Sequence, residues 1–288
     1  MIYLNTFHIA SKSEEESYFS YSRRARLTVY QSTYPFVIFR ERQMPHDFQF
    51  RDITVFCGDN GSGKSTILNL ISEKLALKRD SMYNRSDFFD DYLDICRYSA
   101  NGRISPDSRI ITSDDVFNRI LQIRRLNYGI DDKRQVLIDR YIENNGENVD
   151  TLLHGLDDYE RWKEIYDARH KQNMSQYIRN RLVRNYEERS NGESALSFFV
   201  DAIADGGLYL LDEPENSLSP RHQLDLKYFI EDCVRHHGCQ FVISTHSPFL
   251  LSLRGALIYD IDSIPVTVKK WDELECVKVY RDFFLGNI

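Results

Sequence analysis

Long apolar runs are missing from this sequence. No uninterrupted apolar stretch approaches the roughly 18 to 20 residues of a membrane-spanning helix, so no membrane partner is expected. Cysteine is scarce and scattered: five residues, at 57, 96, 233, 239 and 276, odd in number and without C-x-x-C spacing. That pattern excludes a disulfide framework or a zinc site and points to reduced thiols in the cytoplasm. An excess of positive charge is also lacking. The net charge of −7 excludes a chain that coats nucleic acid along its whole surface, while leaving a local basic patch open. Met1–His8 shows neither the basic start nor the apolar run of a signal peptide. There is no internal repeat and no low-complexity segment. What remains is a 288-residue chain, 42% hydrophobic, able to build a sizeable core in one large domain or two modest ones.

The most informative stretch runs from Cys57 to Thr66, Cys-Gly-Asp-Asn-Gly-Ser-Gly-Lys-Ser-Thr. It satisfies the phosphate-loop pattern G-x-x-x-x-G-K-[ST] through Gly58, Gly63, Lys64 and Ser65. Ile53–Phe56 reads as a buried strand before it, and Thr66–Ile71 has helical periodicity after it. Glycines let the backbone close around an anion, so that the N–H groups of Asn60, Gly61, Ser62, Gly63, Lys64, Ser65 and Thr66 face phosphate oxygens. The following helix adds its positive end. Lys64 suits the β- and γ-phosphates, and the Ser65 hydroxyl suits Mg²⁺. A glycine-rich turn with an incidental lysine is the competing reading, and the flanking strand and helix disfavour it. The motif implies a nucleoside triphosphate site.

Taken in order, residues 2–56 are rich in β-branched and aromatic side chains. Arg26–Gln31, Pro35–Arg40 and Phe48–Phe50 read as strands of an antiparallel β layer. From 72 to 188 charge dominates and Pro106 is the lone proline. Segments 115–126, 133–143 and 158–188 look helical there, which suggests a helical lobe (76–187) inserted into a core made of 1–75 and 188–288. Residues 161–189 interleave Arg161, Lys163, Arg169, His170, Lys171, Arg179, Arg181, Arg184 and Arg189 with Tyr166, Tyr177 and Tyr186. Such a segment is either a DNA or RNA backbone contact or a solvated helical face. The neighbouring Glu160, Glu164, Asp167, Glu187 and Glu188 favour the solvated face. After 190, strands at 207–211 and 239–244 alternate with helices at Ala195–Ala204, Arg221–His236 and Pro248–Leu253. Alternation of this kind gives an α/β fold with a parallel sheet covered on both faces.

Leu208–Leu211 is an apolar run that ends in Asp212 and Glu213. In the parallel sheet of a phosphate-loop protein this strand is expected beside the phosphate-loop strand. That would put Asp212 near the Mg²⁺ and Glu213 where it can polarise an attacking water. Ser190–Ser194 is a small polar loop opening a helix, an anion cradle or an ordinary N-cap. His246, in Ser244-Thr245-His246-Ser247-Pro248, sits at a strand end among hydroxyls and suits a γ-phosphate oxygen.

The order of Gly58–Thr66, Ser190–Ser194, Leu208–Glu213, Asn216–Ser219 and Ser244–His246 resembles the ABC-type ATPase set of Walker A, signature, Walker B, D-loop and H-loop. The Asp212-Glu213-Pro214-Glu215 form and the tail pattern of Thr245–Leu251 then Gly255–Asp260 are similar to the non-transporter branch. That branch includes RecF-like, SMC-like and OLD-like proteins and small stand-alone bacterial ATPases of the AAA family. The resemblance covers about 50–75 and 188–285. It implies ATP and Mg²⁺, with Lys64 and Ser65 on phosphate and metal, Asp212 in the metal's shell, Glu213 as general base and His246 at the γ-phosphate. It implies further that Ser190 and Gly192 contact ATP held by a second copy, so that a homodimer sandwiches two nucleotides. Three features depart from the pattern. The signature reads Ser-Asn-Gly-Glu where Ser-Gly-Gly-Gln is usual, Ser219 replaces a common Asp, and no Q-loop glutamine appears, Asp114 standing near its place. The expected role is regulation of a partner, such as a nuclease, in DNA repair or antiviral defence. A transporter subunit and a scaffold with little turnover are the alternatives.

Overall fold

Strand β1 (Leu4–His8) buries Leu4 and Phe7 and starts the layer that precedes the phosphate loop. The computed structural model describes residues 2–22, 32–40, 42–144, 159–166, 173–182 and 191–286. After β1, helix α1 (Lys12–Tyr21) opens on a capping box in which Ser11 and Glu14 satisfy each other's backbone N–H groups. Strands β2 (Asp47–Gln49) and β3 (Ile53–Cys57) follow, then helices α2 (Lys64–Lys74) and α3 (Phe89–Ile95). Strands β4 (Arg97–Ala100) and β5 (Arg109–Thr112) lead into the long helix α4 (Ser113–Asn144). Next come α5 (Tyr159–Tyr166), α6 (Met174–Arg179), α7 (Asn191–Ala202), β6 (Leu208–Asp212) and α8 (Pro220–His236). The chain ends with β7 (Gln240–Thr245), α9 (Pro248–Leu251), β8 (Leu257–Asp260), β9 (Thr267–Lys269) and α10 (Glu275–Phe284).

Two sheets form. β1 pairs antiparallel with β2 on one side and with β4 on the other. The larger sheet runs in the order β5-β6-β7-β3-β8-β9, with every pairing parallel except that of β8 with β9. Strands β3 and β7 are buried along their entire lengths, as continuous apolar runs in a sheet covered on both faces must be. β6 does not lie beside the phosphate-loop strand β3, because β7 stands between them. The C-terminal ends still converge, since Asp212 is in register with Ser244 and Phe56 with the same Ser244.

The sheets are joined by one buried side chain and a small aromatic cluster. Gln240 Oε1 accepts from the N–H groups of Tyr3 and Leu4, both at 2.8 Å. Its Nε2 donates to Leu4 O at 2.9 Å and Arg51 O at 3.0 Å. All the hydrogen-bonding positions of the amide are used, which is what makes a fully buried glutamine tolerable. Nearby, Phe48 meets Phe56 edge-on at 5.2 Å and Tyr259 at 5.1 Å. Each such pair contributes about 0.5–1.5 kcal/mol beyond its buried area.

The expected strand at Pro35–Arg40 is a series of turns. Phe36, Ile38, Arg40 and Arg42 each donate a backbone bond to the residue three before it, so these donors are spent in turns and not in a ladder. Phe36 and Phe39 are buried at a spacing of three, while Val37 takes φ 78° and gives its N–H to the buried carboxylate of Glu15. A short apolar run carries no period strong enough to separate these outcomes. The strand expected at 26–31 lies outside the described residues.

The chain divides into one unit of Met1–Phe117 with Ser190–Ile288 and a second of Asn118–Arg189. The division falls near 117, not at 76, because β4 completes the first sheet and β5 joins the parallel one. Within the second unit most of the described residues are helical, and Tyr177 packs against Tyr141 with ring centroids 5.3 Å apart.

Candidate functional site

β3 ends at Cys57, and the chain passes directly into a loop that closes on α2. Gly61 and Gly63 adopt φ of 79° and 98°, the left-handed region where a side chain is strained. A Cβ on Gly63 would stand 2.8 Å from Phe39 Cε1, and one on Gly58 would stand 2.9 Å from Ser62 Oγ. Gly63 caps α2 without any side-chain bond, so the first-turn N–H groups of an 11-residue helix remain open. Ser62 Oγ is buried and has no hydrogen-bond partner among the described residues. A close-fitting backbone cradle with open donors fits an anionic phosphate chain.

Lys64 is only 3% exposed. Its ammonium donates to Gly58 O at 2.7 Å and Asp59 O at 3.0 Å, and lies 3.6 Å from Glu213 Oε1. Asn60 is exposed at the loop tip, whereas Thr66 is buried and accepts from Tyr34 Oη at 3.2 Å. Ser65 Oγ donates to Asp212 Oδ1 at 3.0 Å, and Ser244 Oγ donates to the same oxygen. Burial pushes the Asp212 carboxyl above its usual range. The two hydroxyls and Lys64 oppose that rise, and Glu213 adds to it. The hydroxyl of Ser65 beside a buried carboxylate is the donor set a hard divalent cation such as Mg²⁺ takes.

Glu213 is one of the few non-glycine residues in the left-handed region, at φ 49° and ψ 52°. Such a conformation costs roughly 1–3 kcal/mol and is held by its surroundings. Its N–H donates to Ser244 O at 3.0 Å, and Asn216 Nδ2 donates to Oε2 at 3.0 Å. So held, Glu213 closes one side of a cavity of about 280 Å³, together with Ile38 and Gly61–Thr66. His246 lines a different cavity of about 430 Å³, with Cys57, Gly58, Asp59 and Asp262. Gly58 and Asp59 of the phosphate loop line that cavity too, and His246 is absent from the lining of the one that Glu213 closes.

Gly192 lies in the first turn of α7, and Ser190 lies outside the described residues. Asp114 is exposed, and the buried carboxylate there is Asp115. Asp115 Oδ2 accepts from Thr112 N at 2.8 Å and Thr112 Oγ1 at 2.9 Å, at the end of the strand next to Asp212. Of the basic residues in 161–189, Arg161, Lys163, Arg179 and Arg181 are described and exposed, with Arg181 stacked 3.9 Å over Tyr177. The others lie outside the described residues.

Sequence reasoning missed several contributors. Ile38 borders the phosphate loop from a segment expected to be a strand. Asp262 accepts the Asp59 N–H at 2.6 Å and steadies the start of the loop. Arg79 stacks 4.4 Å over Tyr83 and gives Nη2 to Asn69 at 2.5 Å. Burial lowers its guanidinium from the usual range, with Glu73, Tyr83, Asp115 and Asp212 pulling it back. Glu215 stood in view within the motif, but no spacing rule gives a second acid a task.

The family described as "AAA domain, putative AbiEii toxin, Type IV TA system" matches residues 72–252, more than half of the chain, beginning after the phosphate loop. No curated protein matches. Among solved structures, an Smc head domain from Pyrococcus furiosus bound to the C-terminal domain of ScpA aligns at 16% identity and TM-score 0.43, over 100% of both chains. The SMC head domain of Thermotoga maritima aligns at 12% identity and TM-score 0.37, over 93% of this chain and 99% of its own. The dimeric post-hydrolysis ATP-binding cassette MJ0796, bound to ADP and Pi, aligns at 15% identity and TM-score 0.35, over 79% of this chain and 90% of its own. With its phosphate loop, parallel sheet and family match, the chain belongs to this AAA-domain family.

Proposed function

We propose that this protein binds ATP with Mg²⁺ at the phosphate loop, hydrolyses it, and uses the cycle to control a partner. The observation that carries the reading is the convergence of Lys64, Ser65, Asp212 and Glu213 from two chain segments far apart in sequence. Phosphoryl transfer asks little covalent chemistry of a protein and much positioning and charge neutralisation. The open N–H groups at the start of α2 and the Lys64 ammonium hold the phosphates. Ser65 and Asp212 would hold Mg²⁺, which when bound neutralises charge on the phosphate oxygens. Glu213, aimed into the cavity by its strained backbone, orients and deprotonates the attacking water. His246 contacts the γ-phosphate from the Gly58–Asp59 side.

The same reading includes an ATP-dependent homodimer in which Ser190 and Gly192 of one copy meet the nucleotide of the other. The resemblance of the ordered motifs supports it. Defence against phage, by way of a nuclease or other effector partner, is the role we favour, and the family description, which names a toxin of a type IV TA system, fits it. DNA repair, with DNA or RNA contacted through 161–189, is the neighbouring possibility, and a low-turnover scaffold is the alternative. No helix among the described residues is long and apolar enough to cross a membrane.

Phosphate release from ATP and affinity for a fluorescent ATP analogue test the reading together. Lys64→Ala should lose nucleotide binding altogether. Glu213→Gln should bind as well as the wild type and turn over at least about 10²-fold more slowly. Turnover by Glu213→Gln at the wild-type rate removes Glu213 as the base, and nucleotide binding by Lys64→Ala removes the site.

A further inference from the structure

His246 belongs to a loop, just past the end of β7, and something must hold it. A histidine at a strand end has two free side-chain torsions, and fixing them is worthwhile only where the ring has a task. The group that meets it is Glu215. This carboxylate is 6% exposed and sits in the single-turn helix Pro214–Ser217 that follows Glu213. Glu215 Oε1 accepts from His246 N at 2.9 Å and from Thr245 Oγ1 at 2.7 Å. Thr245 Oγ1 in turn accepts the Ser247 N–H at 3.0 Å, which leaves its own proton only the Glu215 direction. The Nδ1 atom of His246 lies 3.3 Å from the same Oε1, buried but not aligned for a hydrogen bond. Oε2 is buried with no hydrogen-bond partner among the described residues.

Two features make this more than a turn cap. A carboxylate buried with one oxygen unsatisfied costs free energy that a neutral side chain of similar shape would avoid. The turn that carries Glu215 also carries Glu213, whose O accepts Asn216 N at 3.2 Å. One buried side chain thus ties the segment of the water-orienting acid to the segment of the histidine.

We infer that Glu215 is the positioning residue for His246, fixing the loop through Oε1 and holding the ring so that Nδ1 faces the carboxylate and Nε2 is left for the nucleotide. This rests on the reading that His246 meets the γ-phosphate. Glu215 touches neither nucleotide nor water and acts through its neighbour, as the carboxylates behind catalytic or metal-bound histidines do.

The test joins kinetics with a measurement that needs no turnover. In nucleotide-free protein labelled with ¹⁵N-histidine, His246 should show the Nδ1–H tautomer in the wild type and the commoner Nε2–H tautomer in Glu215→Ala. Glu215→Ala should lower kcat about tenfold or more while the KM for ATP stays within about threefold, which also shows that the phosphate loop has folded. The double variant Glu215→Ala/His246→Ala should be no slower than His246→Ala alone, because removing the ring removes what Glu215 holds. Glu215→Gln keeps an acceptor at Oε1 and should recover most of the turnover lost in Glu215→Ala. Additive losses, an unchanged ¹⁵N pattern, or Glu215→Gln as slow as Glu215→Ala each overturn the inference. Absence of wild-type turnover would sink the ATPase reading instead, and the tautomer measurement would still decide on Glu215.

Discussion

At the scale of single residues, the site is governed by backbone conformations that sequence alone signals unevenly. Gly63 combines φ 98° with an aromatic carbon 2.8 Å from where a Cβ would sit. Gly238 has φ 64° and open space around it. Gly63→Ala should therefore destabilise by roughly 1–3 kcal/mol and weaken nucleotide binding, while Gly238→Ala should cost about 1 kcal/mol and leave binding intact. Urea midpoints and nucleotide titrations of the two variants check this. The glycine pattern made the loop legible, because only one residue type suits those angles. The same rule gave no warning of Glu213, a glutamate in the left-handed region, since nothing in an acidic side chain reports its φ. The catalytic types were visible in the motifs. Their bridge through Glu215, Thr245 and Ser244 was not, because it depends on which loop tops lie side by side in the sheet.

At the scale of elements, strands that are continuously apolar were readable, and those assembled by long-range pairing were not. β3, β6 and β7 each announce themselves as buried runs. β4, with Arg97, Tyr98 and Ser99 largely exposed, has no such signature and exists because it pairs with β1. The turns at 34–40 have apolar residues enough for a strand but satisfy their backbone locally. The joint between the two sheets depends on Gln240. Gln240→Leu keeps volume but leaves the Tyr3 and Leu4 N–H groups without their acceptor, and should cost roughly 2–4 kcal/mol in chemical denaturation. A loss below about 0.5 kcal/mol would mean that the aromatic cluster of Phe48, Phe56 and Tyr259 holds the sheets together unaided.

At the scale of the whole molecule, the order of five short motifs along the chain was the strongest signal, because a nucleotide pocket must be built from distant segments. Lys64, Asp212 and Glu213 do come together, with Ser65 bonded to Asp212 across 147 positions of sequence. The reach of the first unit was misjudged, since β4 and β5 lie in the charge-rich stretch that suggested a separate lobe. The proposed homodimer completes each nucleotide site with a second copy, and sedimentation velocity of Glu213→Gln addresses that directly. With ATP and Mg²⁺ this variant should sediment as a species of twice the 34.0 kDa protomer, and with ADP, or with Lys64→Ala added, as a single protomer. A single protomer under all these conditions, at concentrations where ATP is shown to be bound, would contradict it.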